Sequence, residues 1–305
     1  MTNRFLGTSL IALLFLLPDA TAPAHAQAKK ASIDKKVDQI EVKKIGAVSE
    51  TIGKAPWNNA YELQTDHFIV HIDIPEKEGI EVARKLEYLL LVMADVFQLD
   101  MSKWKGKKNC YLFNDINKFR EVRDRIKGPQ QAVHGYATDS MLICYVRGRG
   151  YGNLYWTYLH EGCHLNFNAI FGSQRYNSNY WAIEGIACYM GSLKTKPDGS
   201  FAFGEEDHKM LKKAYEGYGS KIAEMISWGY DQFVFRSDRG TYYVVGYGAC
   251  HYFFNAEGGK HKTKFGQYIK LVHSGQAKPG SFKEVTGMEP SQAQEAIVKH
   301  VSQIP

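Results

Sequence analysis

The chain has 305 residues, 44% apolar and 13% aromatic, enough to build one large domain or two lobes around a proper core. Lys and Arg outnumber Asp and Glu by 38 to 32. The excess gathers at Lys29, Lys30, Lys35, Lys36, Lys43 and Lys44 and between Lys103 and Lys108, as solvated surface without the basic-aromatic pattern of a nucleic-acid binder.

Residues 1–26 read as a signal peptide: Arg4 in a short n-region, an apolar run over 5–17, then Ala24-His25-Ala26 as a cleavage site. The run is too short for a comfortable membrane span, and no later stretch is long enough, so no stable membrane insertion is expected after cleavage. The expected location is secreted or periplasmic. Residues 27–56 are polar and lysine-rich with no lasting apolar period, and read as a linker or loosely held arm.

From Trp57 the texture changes. Segments 61–63 and 67–72 are strand-like, with Thr65-Asp66 at the turn between them. His67 and His71 share a strand face with no third ligand nearby, and read as a half-exposed face. Pro75 opens a helix through Phe97, with Ile80, Ala83, Leu86, Leu89, Leu90 and Met93 near helical spacing. A strand over 109–113, a charged helix over 116–127, and strands over 132–138 and 141–146 follow. Cys110 and Cys144 fall in two of these strands, where an oxidising compartment would allow them to pair; with five cysteines at least one stays unpaired. The glycine-rich passage 147–152 matches neither a dinucleotide fingerprint nor a Walker lysine motif, and reads as a mobile lead-in to the next helix.

That helix begins the stretch 158–190, YLHEGCHLNFNAIFGSQRYNSNYWAIEGIACYM. His160-Glu161-Gly162-Cys163-His164 is an H-E-x-x-H pattern. On a helix, positions i and i+4 share a face, so both imidazoles can reach one metal ion, and Glu161 can act as base toward a metal-bound water. Glu184 is the candidate third ligand, at a separation that allows one helix, a turn and a second helix. Cys163 lies about 100° round the helix from His164 and packs sideways rather than toward the metal.

HEGCH followed by WAIEGIACY resembles the gluzincin metallopeptidases, the peptidase MA-like clan of thermolysin-like and aminopeptidase-N-like enzymes. The W-x-x-E-G-x-A-x-Y form is most similar to the aminopeptidase-N branch and to small bacterial peptidase-MA-like domains. The resemblance implies one Zn²⁺ held by His160, His164 and Glu184, with Glu161 as general base taking a proton from the zinc-bound water and passing it to the leaving amine. It also implies a zincin-like α+β fold: an N-terminal mixed β-sheet with helices, the active-site helix, then a mainly α-helical C-terminal lobe. Residues 57–305 would form the catalytic domain, divided into 57–191 (sheet and zinc helices) and 192–305 (helical lobe). In such folds an edge strand above the metal pairs with extended substrate, and 132–138 or its neighbour is expected to be that edge.

Two departures from the family pattern matter. Aminopeptidase-N-like enzymes carry a G-x-M-E-N signature whose glutamate holds the substrate amine; here 134–139 reads HGYATD, without it, so an endopeptidase or another hydrolase is preferred over an aminopeptidase. In thermolysin-like enzymes an Asp four residues after the third ligand orients the first histidine; here that position is Cys188, a weak partner.

Downstream, 192–204 reads as a loop or hairpin around Pro197-Asp198-Gly199. Helices follow over about 205–216, 219–227, 240–256, 261–273 and 290–302. Tyr243, Tyr247 and His251 fall at i, i+4 and i+8. Gluzincins use a downstream Tyr or His to steady the oxyanion, which makes Tyr247 the candidate and His251 the reserve; a packed aromatic helix is the plain alternative. The functional expectation is a zinc-dependent hydrolase, a metalloprotease acting on a peptide or protein. The rivals are a non-catalytic zincin-like protein and a zinc hydrolase of non-protein amides such as cell-wall peptides.

Overall fold

The computed structural model describes residues 39–151, 153–173, 178–196, 201–204 and 208–304, all within the unit Ser32–Pro305. The predicted signal peptide and residues 27–38 of the predicted arm lie outside the described residues. The architecture is α+β: an N-terminal mixed sheet followed by a helical C-terminal part.

In chain order the first elements are β1 (Lys43–Glu50), β2 (Pro56–Gln64), β3 (Phe68–Ile72), α1 (Glu76–Val96), β4 (Lys108–Phe113), α2 (Ile116–Arg125), β5 (Gly135–Ala137) and β6 (Met141–Tyr145). Six strands form one sheet in the order β1-β2-β3-β4-β6-β5. β1, β2 and β3 run antiparallel, β3, β4 and β6 parallel, and β5 returns antiparallel on the outer side of β6. The expected edge strand is therefore an edge strand, at Gly135–Ala137.

β1 corrects the reading of 27–56 as a loose arm, because 43–50 pairs with β2 along its length. Most of its side chains are exposed, Ile45 among them. The ladder of backbone hydrogen bonds holds this strand, so side-chain burial left no apolar period to read.

Alternation along the central strands separates two packed faces. Cys110, Leu112, Leu142 and Cys144 point into the main core with Leu86, Leu89 and Leu90 of α1, while Phe113 and Ile143 point the other way, to Trp57 and to Phe119 and Val122 of α2. All five cysteines are free and buried. Cys110 stands opposite Leu142, and Leu112 opposite Cys144. That two-residue offset puts their Cα atoms roughly 8 Å apart, beyond the roughly 7 Å that a bridge tolerates. The predicted option of a Cys110–Cys144 disulfide is not taken.

The glycine-rich lead-in is part of a small hairpin, β7 (Arg149–Gly150) against β8 (Tyr155–Trp156). It delivers the chain into α3 (Thr157–Phe171), followed by α4 (Tyr180–Gly191). A second hairpin, β9 (Lys194–Thr195) with β10 (Phe201–Ala202), stands where one was expected; its turn residues lie outside those described. Then come α5 (His208–Tyr218), α6 (Ile222–Met225), α7 (Tyr230–Val234), α8 (Arg239–Asn255), α9 (Lys262–His273), α10 (Ser281–Thr286) and α11 (Pro290–Gln303). α7 and α10 were not expected; at 5 and 6 residues they are too short to show a helical period.

Helices α4 and α8 are buried almost all round and cross at glycine. A Cβ on Gly185 would stand 2.8 Å from the Gly246 carbonyl oxygen, and one on Gly246 would stand 3.1 Å from the Gly185 Cα. Backbone meets backbone there, so neither side can yield to an added methyl by rotating a side chain. Gly185→Ala is expected to cost about 1–3 kcal/mol as the helices are forced apart, read as a lower urea midpoint. An unchanged midpoint would show that the crossing is not tight.

Candidate metal centre

α3 lies between the sheet layer and the helical part. On one side Gly162 sits against α1, where a Cβ would meet Leu86 at 3.1 Å and Leu89 at 3.4 Å. On the other, His160 and His164 turn toward α4, which carries Glu184. The His160 and His164 Nε2 atoms are 3.2 Å apart, and Glu184 Oε2 lies 3.3 Å from the first and 3.4 Å from the second. Ligands about 2.0–2.1 Å from a tetrahedral centre are separated by about 3.3–3.4 Å. The three atoms thus form one face of a tetrahedron of the right size, and the group can hold a metal ion.

The surrounding side chains fix these three. The Tyr180 hydroxyl, one turn before Glu184, donates to its Oε1 at 2.6 Å, leaving Oε2 toward the histidines. Cys188 Sγ stands 3.6 Å from His160 Nδ1, beside Tyr155. The position read as a departure from the family pattern therefore does face the first histidine, with sulfur in place of a carboxylate. The Tyr155 ring stacks on His160 at 4.8 Å, and the Tyr243 ring lies nearly parallel to His160 at 6.1 Å.

Burial alone would push the Glu184 carboxyl up, but the His164 and His160 side chains override it and hold it well below the usual carboxylate range. Burial likewise works against a charged His164, and Glu184 overrides it, raising that imidazole. A buried carboxylate that raises the imidazole facing it is the electrostatic condition that a cation held between them satisfies. Glu161 is raised, chiefly by burial and also by Glu184, against the lowering effect of both histidines.

A cavity of about 570 Å³ opens onto the triad. Gly135, Tyr136 and Ala137 of β5 form one wall. A Cβ at Gly135 would stand 3.2 Å from Glu161 Cγ, so a glycine lets the edge strand come down onto the candidate base. Tyr151, Tyr155, Tyr180 and Tyr243 supply an aromatic wall, and His273 lies beyond, stacked on Phe167 at 3.5 Å between ring centres.

His160, His164, Glu184 and Glu161 meet at this cavity as expected; Tyr247 and His251 do not line it. Tyr247 is fully buried, its ring 6.1 Å from Tyr189, and His251 Nδ1 lies 2.9 Å from His300 Nε2 near His208. The Gly185–Gly246 crossing decides this, because it brings the α8 turn carrying Tyr243 beside His160 and sends the next two turns into the core. Tyr243, Tyr180 and Tyr155 were not assigned from sequence. Tyr180 had a signal, its i, i+4 spacing to Glu184; Tyr155 had none.

The chain matches no protein-family model and no curated protein.

His251 provides a measurable property away from the cavity. Burial, then the charges of His300 and His208, lower it from 6.5 to about 4. The unfolded chain takes up that proton first as pH falls. The stability this residue contributes is therefore fully present above about pH 6.5 and is lost toward about pH 4, on the order of 3 kcal/mol at most. Denaturant titrations over that window should show a shallower acid loss for His251→Gln than for the wild type. Equal losses would show that His251 does not titrate low.

Proposed function

We propose that this protein is an exported zinc metallopeptidase of the gluzincin type with a zincin-like fold, an endopeptidase rather than an aminopeptidase. The observation that carries the reading is the three-atom face of His160 Nε2, His164 Nε2 and Glu184 Oε2 at 3.2–3.4 Å, with Glu161 beside it and a cavity open to it. Two imidazoles and one carboxylate make a donor set suited to zinc that leaves a fourth position free. Export rests on the signal-like residues 1–26; among the described residues no helix is long and apolar enough to cross a membrane.

Zinc held by the triad supplies the Lewis acidity that makes water nucleophilic near neutral pH. The residues of the chain do the rest. Glu161, raised by its burial toward the range of a working base, accepts the proton of the attacking water and returns it to the leaving amine. Tyr180 keeps Glu184 turned to the histidines. The outer edge of β5 pairs with no other strand of the sheet and borders the cavity, so an extended peptide can add to it strand to strand. Tyr243 takes the oxyanion role expected of Tyr247, since its ring borders the cavity next to His160. Among the described residues the cavity is lined by no carboxylate other than Glu161 and Glu184, so nothing there would anchor a substrate amine.

Elemental analysis and a quenched-peptide assay test this together. Glu161→Gln should keep one zinc per chain and lose hydrolysis by about 10²–10⁴-fold, while His164→Ala should lose the metal. A wild-type protein that takes up no zinc would overturn the reading. Tyr243→Phe should retain zinc and lower kcat by about 10²–10³-fold; an unchanged kcat would remove Tyr243 from the reaction.

A further inference from the structure

Among the described residues, only two charged side chains line the cavity besides Glu184, Glu161 and the histidines, and both are arginines, Arg149 and Arg239. Arg149 is occupied: its guanidinium lies 4.2 Å over the Trp156 ring and donates to the Asn153 carbonyl. Arg239 is held differently. Nη1 donates to the Val234 carbonyl at 3.2 Å and the guanidinium lies beside Tyr151, which leaves most of its five N–H groups available. No described carboxylate pairs with it. Asp238, its neighbour in the chain, is engaged by Arg236 at 2.8 Å.

The placement of Arg239 is specific. It opens α8 one turn before Tyr243, the residue beside His160, and it lines the cavity together with Tyr151, whose ring lies 5.2 Å from that of Tyr243. Arg239 therefore lines the same cavity as His160, Glu161, His164 and Glu184, one helical turn from Tyr243. The positive end of the α8 dipole adds to its charge.

We infer that Arg239 binds a substrate carboxylate close to the scissile bond, so the preferred substrates are acidic peptides. The inference rests on the peptidase reading of the same cavity and adds the substrate class to it. The carboxylate comes either from an Asp or Glu side chain or from the C-terminus of the peptide itself. A planar guanidinium fork suits both equally.

Fluorescein-labelled octapeptides on an Ala-Leu scaffold, with one Glu, Gln or Lys moved through successive positions and each made as acid and amide, separate these sources. Binding is read by anisotropy on the full-length, zinc-loaded Glu161→Gln protein, and cleavage of the quenched counterparts on the wild type. At one or more positions Glu should bind at least about tenfold tighter than Gln, as expected for a charge-assisted pair, with Lys weakest. A preference for acid over amide with no Glu preference would assign the site to the C-terminus. Arg239→Gln should bring the discriminating ratio below about threefold, and Arg239→Lys should retain part of it. Equal binding of the Glu and Gln series and of acids and amides, or discrimination that survives Arg239→Gln, overturns the inference. Peptides cleaved without discrimination would leave the peptidase reading standing alone. Selective, Arg239-dependent binding without cleavage would do the reverse.

Discussion

Gly185 and Gly246 let α4 and α8 touch backbone to backbone, with only 2.8 Å between the place of a missing Cβ and the facing carbonyl oxygen. Much of the site inherits its geometry from that contact. Glu184 is the residue just before Gly185, so the depth to which α4 seats against α8 sets how far its carboxylate reaches toward α3. The same contact sets the axial position of α8, which places Tyr243 and Arg239 at the cavity and buries Tyr247. Side chains at these positions would hold the helices apart by ångströms, and a 3.3 Å ligand triangle tolerates a small fraction of that.

The second constraint is charge. Glu184, His160 and His164 sit in a mostly aromatic interior in which an unpaired carboxylate is costly. The fold spends its polar contacts there economically: one tyrosine hydroxyl on Glu184 Oε1, one thiol near His160 Nδ1, and the remaining donor atoms turned inward on one another. That arrangement suits a centre meant for a cation. The open side is built differently, with a glycine on the edge strand, a row of tyrosines and an arginine that no described carboxylate neutralises. In the function proposed, the closed face would hold the metal and the open, arginine-bearing wall would receive the substrate.

Much of the layout was legible from periodicity. The helix at 76–96 and the strands at 68–72 and 108–113 bury every third and fourth or alternate residues, and 141–145 is a short apolar run buried on both faces; their apolar patterns show it. β1 was not legible, because an edge strand held by its ladder leaves its side chains in water. α7 and α10 are shorter than the period that would reveal them. The all-round burial of α4 and α8 erased their amphipathic stripes, so the phase of α8 could not be read from its tyrosines.

The chain by itself determined the local chemistry: two imidazoles one turn apart with a glutamate between them, and a further glutamate on the next helix as a candidate third ligand. Helical geometry makes that a property of spacing, independent of what surrounds it. Only the tertiary structure decided which tyrosines meet the site, that Cys188 faces His160, that the cysteines of β4 and β6 stand too far apart to bridge, and that Arg239 turns toward the cavity. Those are matters of register and crossing between elements distant in sequence, where a shift of one helical turn or one ladder step exchanges the residues that meet.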